Sequence, residues 1–408
     1  MATSVIQLKC QCNNYPWGKK GSQSVAARYA AQTPNTDFNI DEDKEYAEMW
    51  MGTYPTTPSL VLSSGEDLQN VLDALPTELI GKPILDKFGT KLPFLPKILS
   101  IQKALPLQIH PDKELSAKLH QKDPEKFGDE NHKPEIAVAL SRFEVFAGWK
   151  QFPEIQKLFF DIPFLKERFV PESQVHFNAE TLKKVVSRIL SASDEVIEQT
   201  QNDLLSVSKE SLRSQGYIAD LLPRLIDQYS KSDPGNLVAL LCMNYMVLSP
   251  GDAIYVPADG IHAYLAGDIV ECMARSDNVI NTGFCPRPDR DDASLFTEAL
   301  TFTPRSVKDP LLPAKTFEGS SKGRTKLYAP PMSEFNMLVT NLNEGESDSV
   351  REIQGPSIMF VSSGSGTVKV GGSTQELEEG YIFFVRQGVQ IELEAKKGLE
   401  VYRAYCEV

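Results

Sequence analysis

Much of the fold is decided by Leu107-Gln108-Ile109-His110-Pro111-Asp112-Lys113, a stretch that combines a short strand pattern with polar side chains at alternate positions. Side chains alternate between the two faces of an extended strand. Gln108 and His110 therefore share one face, while Ile109 points the other way into apolar packing. We predict a β-strand that presents an amide and an imidazole together.

Two distant segments supply groups that complement this polar face. One is Gly260-Ile261-His262-Ala263-Tyr264, and the other is Asn131-His132-Lys133-Pro134-Glu135. Two imidazoles, one carboxylate and one amide oxygen match a zinc shell that leaves room for a ligand. The candidate metal ligands are therefore Gln108, His110, Glu135 and His262.

The bulk composition is that of an ordinary globular protein. The chain has 408 residues, 41% hydrophobic and 24% charged, with a net charge of −13. This length fits two or three domains with a sizeable core. The acidic balance argues against a nucleic-acid surface. An anionic substrate would need a local positive site made by a metal and a few Lys or Arg residues.

The cysteines and the hydropathy indicate a reducing compartment. The six cysteines are scattered, with no CxxC, so we expect free thiols. The N-terminal residues lack the apolar core of a signal peptide. We also expect no transmembrane helix, because no stretch of about 18 apolar residues occurs. A cytoplasmic location is the prediction.

The periodicity divides the chain into β-rich and helical parts. Strand signals dominate 1–151 and return in 236–310, whereas 152–235 reads as a helical domain. Its clearest helix carries apolar residues at i, i+3, i+4, i+7 and i+8, namely Leu182, Val185, Val186, Ile189 and Leu190. Short strands with Gly turns fill 311–408 and suggest a sandwich or barrel. This last part contains no His, so it cannot repeat the metal site.

A set of motifs runs along nearly the whole chain. They are Tyr15-Pro16-Trp17-Gly18, Glu48-Met49-Trp50-Met51-Gly52-Thr53, Gln108-Ile109-His110-Pro111-Asp112-Lys113, His132-Lys133-Pro134-Glu135, Gly260-Ile261-His262-Ala263-Tyr264, Glu271-Cys272-Met273-Ala274 and Pro331-Met332-Ser333-Glu334-Phe335. Together and in this order they resemble the type I mannose-6-phosphate isomerases (phosphomannose isomerases), a family of zinc enzymes of the cupin class. The residues within these motifs resemble those of fungal members more than those of bacterial or animal ones.

The resemblance implies a fold and an activity. The expected fold is mainly β, with two cupin-type double-stranded β-helix barrels and an α-helical domain as an insert. The catalytic cupin domain would comprise 1–151 and 236–310, the helical domain 152–235, and a cupin-like β domain 311–408. The expected reaction interconverts mannose 6-phosphate and fructose 6-phosphate through an enediol(ate), supplying GDP-mannose synthesis for glycosylation and wall mannan. We expect one Zn²⁺ per chain, a hexose phosphate as the small-molecule partner, no nucleic acid or membrane partner, and a monomer.

Several residues are candidate helpers around the metal. Lys133 lies two positions before Glu135 and could orient substrate, whereas a solvated lysine is the simpler alternative. Glu271 could be a base, a partner of a ligand or a structural carboxylate. Trp17 could form a wall for the sugar or belong to the core, and Lys97 and Lys113 are candidate phosphate partners.

The chain departs from the family pattern at two positions. Asn281 stands where most members have an arginine thought to be catalytic, and Pro106 stands where a serine usually contacts phosphate. We hypothesise that Arg275 or Arg287 supplies the missing cation. Arg275 shares a strand face with position 281 at an even offset, but would lie roughly 20 Å away on an extended strand. The loop must therefore fold back, or Arg287 serves instead.

Two other classes of protein fit parts of the pattern. A metal cupin with iron-dependent dioxygenase chemistry favours two His and a carboxylate with open sites, but the amide ligand and the absence of an HxH pair argue against it. A non-catalytic sugar-binding or storage barrel would explain the strands. It would not explain ligands drawn from three separate segments.

Overall fold

The computed structural model describes residues 4–172, 174 and 176–408. The strands of the described residues pair in antiparallel β-sheets. The strands, in chain order, are β1 (Val5–Lys9), β2 (Cys12–Asn13), β3 (Lys19–Lys20), β4 (Glu45–Tyr46), β5 (Glu48–Trp50), β6 (Leu60–Val61), β7 (Phe94–Ile101), β8 (Leu107–Ile109), β9 (Glu135–Ala139), β10 (Phe143–Trp149), β11 (Met243–Leu248), β12 (Ala253–Val256), β13 (His262–Ala274), β14 (Ile280–Gly283), β15 (Lys315–Thr316), β16 (Thr325–Tyr328), β17 (Asn336–Leu342), β18 (Ser347–Val350), β19 (Ser357–Val370), β20 (Ser373–Glu378), β21 (Ile382–Val385) and β22 (Ile391–Tyr405).

The helices are concentrated in the middle of the chain. In chain order they are α1 (Val25–Gln32), α2 (Leu68–Ala74), α3 (Pro76–Leu79), α4 (Lys82–Phe88), α5 (Lys113–Lys122), α6 (Phe152–Asp161), α7 (Pro163–Phe169), α8 (Ala179–Leu190), α9 (Asp194–Leu205), α10 (Lys209–Leu212), α11 (Tyr217–Gln228), α12 (Pro234–Cys242) and α13 (Ala293–Ala299). Helices α6 to α12 lie between β10 and β11, two strands that pair with each other. The helical part is thus an insertion in a β-rich chain, as the sequence predicts.

Two ten-stranded antiparallel sheets organise the described residues. Sheet I contains β2, β5 and β7 to β14, with β13 pairing β7, β8, β9 and β10 along its length. Sheet II contains β1, β6 and β15 to β22. An apolar cluster joins the two sheets, including Met49, Ile98 and Ile136 from sheet I and Phe360 and Tyr402 from sheet II.

Strand β1 belongs to sheet II, although the predicted division assigned 1–151 to the catalytic domain. Its residues Val5 and Leu8 oppose Val385 and Ile382 of β21, and β1 also pairs with β6. Strands β1 and β21 are separated by more than 370 residues, so no local sequence pattern predicts this pairing.

The helical insertion extends beyond the predicted boundary at 235. Helix α12 runs from Pro234 to Cys242, and all nine residues are buried. Asp233 caps it by accepting a hydrogen bond from the Gly235 N–H at 2.8 Å. An apolar run buried on all sides has no polar face, so its period cannot separate a buried helix from a strand.

Part of the C-terminal region predicted to contain short strands with Gly turns forms one long continuous strand, β19. This strand contains Gly364, whose φ of 81° lies in the left-handed region. A Cβ at Gly364 would lie 1.4 Å from the carbonyl oxygen of Gly398 on β22. The glycine therefore marks a close approach of two strands within the sheet.

Among the described residues, every helix is too short or too polar to span a bilayer.

Candidate metal centre and active site

Strands β8 and β13 of sheet I bring two of the predicted ligands, Gln108 and His262, to one face. Gln108 on β8 is directly opposite His262 on β13 and Asn281 on β14. Directly opposed residues of antiparallel strands project from the same face. The Gln108 side chain therefore shares a face with His262, and His110, two residues along, follows on the same side.

His110, Glu135 and His262 form a compact buried group. Their exposed fractions are 0%, 3% and 0%, and one ligand atom from each lies within 4.8 Å of the others. His110 Nε2 is 3.2 Å from Glu135 Oε1, and His262 Nε2 is 3.6 Å from Glu135 Oε2. In a tetrahedral zinc site with ligand distances near 2.0–2.1 Å, two ligand atoms are about 3.3 Å apart. The spacing fits a single metal ion.

The hydrogen bonds of the two imidazoles fix their tautomers. His110 Nδ1–H donates to the Asn278 carbonyl at 2.8 Å, and His262 Nδ1–H donates to the Gly260 carbonyl at 2.9 Å. Each Nε2 therefore carries a lone pair, and neither has a hydrogen-bond partner. Two lone pairs face a carboxylate that can only accept. Such an arrangement of buried acceptors fits a cation placed between them.

The protonation states agree with this geometry. Burial lowers the pKa of His110, and burial lowers the pKa of His262 to about 4, so both rings are neutral at pH 7. Burial opposes the charge on Glu135, but the neighbouring His110 and Lys133 outweigh it and hold the pKa of Glu135 below its ordinary range. Neutral imidazoles and an ionised carboxylate are the forms that bind a metal.

Lys97 and Glu271 form a buried ion pair on sheet I. They are directly opposed on β7 and β13, with Lys97 Nζ 3.0 Å from Glu271 Oε2 and 3.8 Å from Glu48 Oε2. Burial acts to lower the pKa of Lys97, but the surrounding carboxylates outweigh it and raise this pKa. Burial and the charge of Glu135 raise the pKa of Glu271 to about 7, against the effect of Lys97.

Lys133 and Tyr264 complete the surroundings of Glu135. Lys133 Nζ lies 3.8 Å from Glu135 Oε1, and only 12% of its side chain is exposed. The Tyr264 hydroxyl donates to Glu135 Oε2 at 3.1 Å from a fully buried ring. Sequence reasoning did not single out Tyr264. Its position two residues after His262 on β13 is the signal that places it on the same face.

The two arginines considered as substitutes for the family arginine have other partners. The Arg275 guanidinium donates to the Thr53 hydroxyl at 3.1 Å and the Thr53 carbonyl at 3.0 Å, and it lies over the Tyr54 ring. Arg287 forms an ion pair with Asp194 in the helical insertion, and 70% of its side chain is exposed.

Lys113 is a surface residue at the start of α5. Its side chain is 60% exposed, and Nζ lies 3.5 Å from Glu334 Oε1. His132 Nε2 is 2.8 Å from the same carboxylate oxygen. The motif around Glu334 therefore attaches the segment before β17 to the loop that leads into β9, a role that the sequence did not indicate.

Trp17 and Arg287 line one open cleft of about 590 Å³, together with Lys103, Pro106 and Arg290. Trp17 is half-buried and stacks on Tyr15 with ring centroids 5.7 Å apart. The cleft lies where the insertion meets the loop after β14. Its volume is in the range typical of small-molecule sites.

Asn281 lies beside Gln108 with an unused acceptor. Its Oδ1 is buried and has no hydrogen-bond partner, while its backbone N–H donates to Asp291 Oδ2 at 2.7 Å. Lys126 forms an ion pair with the same Asp291 carboxylate. Asn281 is therefore fixed through its backbone, and its carboxamide oxygen is available to a ligand.

A buried two-histidine, one-carboxylate group that could hold a metal ion, carried on an antiparallel sheet, marks this chain as a β-rich protein with a candidate metal centre. Residues 5–152 match the family model for the catalytic domain of type I phosphomannose isomerase. The chain is 38% identical to the mannose-6-phosphate isomerase of Ogataea parapolymorpha, over 97% of this chain and 96% of the relative. It is 36% identical to those of Candida albicans and Saccharomyces cerevisiae, over 99% of both chains and 100% of both chains respectively.

Solved structures agree with the fold. Mannose 6-phosphate isomerase of Salmonella typhimurium bound to fructose 6-phosphate and zinc superposes with a TM-score of 0.80 at 23% identity, over 100% of both chains. A zinc-bound mannose 6-phosphate isomerase gives a TM-score of 0.80 at 24% identity, also over 100% of both chains. The chain belongs to the type I phosphomannose isomerase family of enzymes.

Proposed function

We propose that this chain is a zinc-dependent aldose–ketose isomerase that interconverts mannose 6-phosphate and fructose 6-phosphate through an enediol(ate). The observation that carries the proposal is the convergence of two unpartnered imidazole Nε2 atoms on the carboxylate of Glu135. The family membership gives the substrate, because the relatives named above are mannose-6-phosphate isomerases.

His110, Glu135 and His262 would hold one zinc ion, with the amide oxygen of Gln108 as the fourth ligand. The shared face of Gln108 and His262 supports this assignment. When bound, zinc supplies a Lewis acid that stabilises negative charge on a sugar oxygen without any redox change. Iron-dependent dioxygenase chemistry and a non-catalytic sugar-binding barrel remain the rivals.

Glu271 is the proposed base. Its buried carboxylate would take the proton from the carbon beside the carbonyl and return it to the neighbouring carbon. The pKa of about 7 suits both directions of this transfer at neutral pH. Lys97 would hold the carboxylate through the 3.0 Å ion pair, and it remains a candidate phosphate partner only if it leaves that pair.

Lys133 would donate a hydrogen bond to the oxygen that gains charge. Its ammonium lies beside Glu135 and is shielded from solvent, which strengthens such an interaction. Asn281 would contact a sugar hydroxyl through its free Oδ1.

The cleft lined by Trp17 and Arg287 is the proposed route to the phosphate end of the substrate. Trp17 would form a wall for the sugar, and Arg287 would pair with the phosphate after leaving Asp194. Lys113 would have to leave Glu334 to do the same. Arg275 would act as the substitute cation only after release from Thr53. Near-full turnover in both Arg275→Ala and Arg287→Ala would exclude the hypothesis that either arginine replaces the family arginine.

The location, the partners, the metabolic role and the domain division are proposed from the family membership. The reaction would take place in the cytoplasm, in a monomer without nucleic-acid or membrane partners, and would supply GDP-mannose synthesis for glycosylation and cell-wall mannan. Each sheet would form one cupin-type barrel. The catalytic domain would comprise 1–151 and 236–310 apart from β1 and β6, which pair in sheet II, and 311–408 would form the cupin-like domain. The helical domain 152–235 would continue to Cys242 through α12.

The test is formation of fructose 6-phosphate from mannose 6-phosphate by the purified chain, before and after chelation and zinc restoration. We expect turnover to disappear on chelation, to return with zinc, and to be absent in His262→Ala. His120→Ala is the matched control, because the His120 Nδ1 is engaged by the Phe127 carbonyl outside the metal group. Chelation-insensitive turnover would refute the metal mechanism. Bound iron with oxygen consumption would favour a dioxygenase, and sugar-phosphate binding without turnover would favour a binding barrel.

A further inference from the structure

Asp129 lies in the loop between α5 and β9, where it joins two segments of the chain. Its Oδ1 accepts hydrogen bonds from the Asn131 N–H at 2.8 Å and the Ser276 hydroxyl at 2.9 Å. Its Oδ2 accepts from the Asp277 N–H at 3.0 Å. One carboxylate therefore connects the loop 129–131 to the loop 276–278.

The side chain of Asn278 adds a second set of links between the same loops. Its Nδ2 donates to the backbone carbonyl of Asp129 at 2.7 Å and to that of Asn131 at 3.0 Å. Its backbone N–H donates to the Ser276 hydroxyl at 3.2 Å. Ser276 and Asn278 are both fully buried, so water does not compete for these bonds.

This network fixes the position of the Asn278 backbone carbonyl group. The Asn278 backbone oxygen accepts the Nδ1–H of His110 at 2.8 Å, which selects the tautomer with the lone pair on Nε2. The other connected loop leads through Asn131 to Lys133 and Glu135. The hydrogen bond of His262 to Gly260 is separate from this network.

We propose that Asp129 is a positioning residue that holds His110, through Asn278, and Glu135, through the 129–135 segment, in the geometry that binds zinc. The inference rests on the proposed function only in taking these residues as zinc ligands. Groups that orient metal-bound histidines change metal affinity by about 10–100-fold when they are removed. We expect a loss of that size in Asp129→Ala.

The experiment measures the zinc dissociation constant of the full chain by competition with a chromophoric chelator, and the visible spectrum of the Co²⁺-loaded protein. Asp129→Ala should weaken zinc binding by about 10–100-fold and change the Co²⁺ spectrum. Asp129→Asn keeps an acceptor for Asn131 and Ser276 but loses the bond from the Asp277 N–H, so its effect should be intermediate. Glu130→Ala, an exposed neighbour, is the matched control and should bind zinc like the wild type.

The outcomes separate this inference from the proposed function. Zinc affinity within threefold of the wild type in both Asp129 variants would overturn the positioning role. If Asp129→Ala does not fold, Asp129→Asn decides the question by the same measurements. A wild type that binds zinc without isomerase turnover would refute the proposed function and leave the inference supported or overturned by the affinities. A wild type without zinc affinity would overturn both.

Discussion

Lys150 is a buried lysine that forms no ion pair among the residues that the structure describes. It follows β10, is 2% exposed, donates from Nζ to the Leu240 carbonyl at 2.6 Å, and lies near the Tyr217 ring. Burial lowers the pKa of Lys150 to about 7. In the unfolded chain the pKa of a lysine is about 10.4. Replacing Lys150 with Met should therefore stabilise the protein at pH 7.

The magnitude follows from linkage between proton binding and folding. Between pH 7 and about 10.4 the unfolded chain binds a proton at this position that the folded chain does not, so stability rises with pH. The cost of burying the charge is fully present below pH 7, at roughly 5 kcal/mol. From pH 7 to pH 9 the wild type should recover roughly 2 kcal/mol of it. The advantage of Lys150→Met should shrink by that amount.

Urea unfolding at constant ionic strength, followed by the fluorescence of the buried Trp149, measures this change. Packing differences between Met and Lys shift the free energy of unfolding equally at every pH, so the change with pH isolates the titration. Lys183→Met, on the exposed face of α8, is the control and should show no such change. A difference between Lys150→Met and wild type that stays constant from pH 7 to pH 9 would refute the reasoning.

Three further outcomes are expected. Zinc should raise the melting temperature of the wild type, with about 4 kcal/mol of stabilisation when free zinc is 1,000-fold above its dissociation constant, and calorimetry should show no such shift for His262→Ala. Burial opposes the charge on Glu334, but the hydrogen bond from His132 outweighs it and lowers the pKa of Glu334 to about 2. The stability that this pair contributes should be lost as pH falls from about 4.5 to about 2. The free energy of unfolding of Glu334→Gln should not show this decrease in acid. A decrease as large as that of the wild type would exclude a stabilising role of the pair. Burial raises the pKa of Cys242 to about 12, so the native protein at pH 8 should alkylate with iodoacetamide far more slowly at this residue than the urea-unfolded chain, as peptide mapping would show.

Part of the candidate metal group could be predicted from a local signal. Gln108 and His110 share a face through the strand period, and the amphipathic pattern around Leu182 and Val185 correctly placed α8. The resemblance to a known family joined the distant segments, which composition alone would not have done.

The remaining features depend on contacts that no local pattern reports. The partners of Arg275 and Arg287, Thr53 and Asp194, are distant in the chain, so their engagement was invisible in the sequence. The carbonyl of Asn278 acts through the backbone, and any residue type could supply it. Helix α12 was missed because burial on all sides removes the helical period.

The place of β1 in sheet II affects how the chain can be made and divided. During synthesis the first strand leaves the ribosome long before its partner β21, so it must wait for almost the whole chain before it can pair. A fragment that begins near residue 311 would leave the β21 edge, with Phe383 and Phe384, without its neighbour. Open apolar edges recruit strands from other molecules. Strand β1 and the strands after residue 311 are therefore one folding unit, and expression of 311–408 alone should give aggregates unless residues 5–9 are supplied with it.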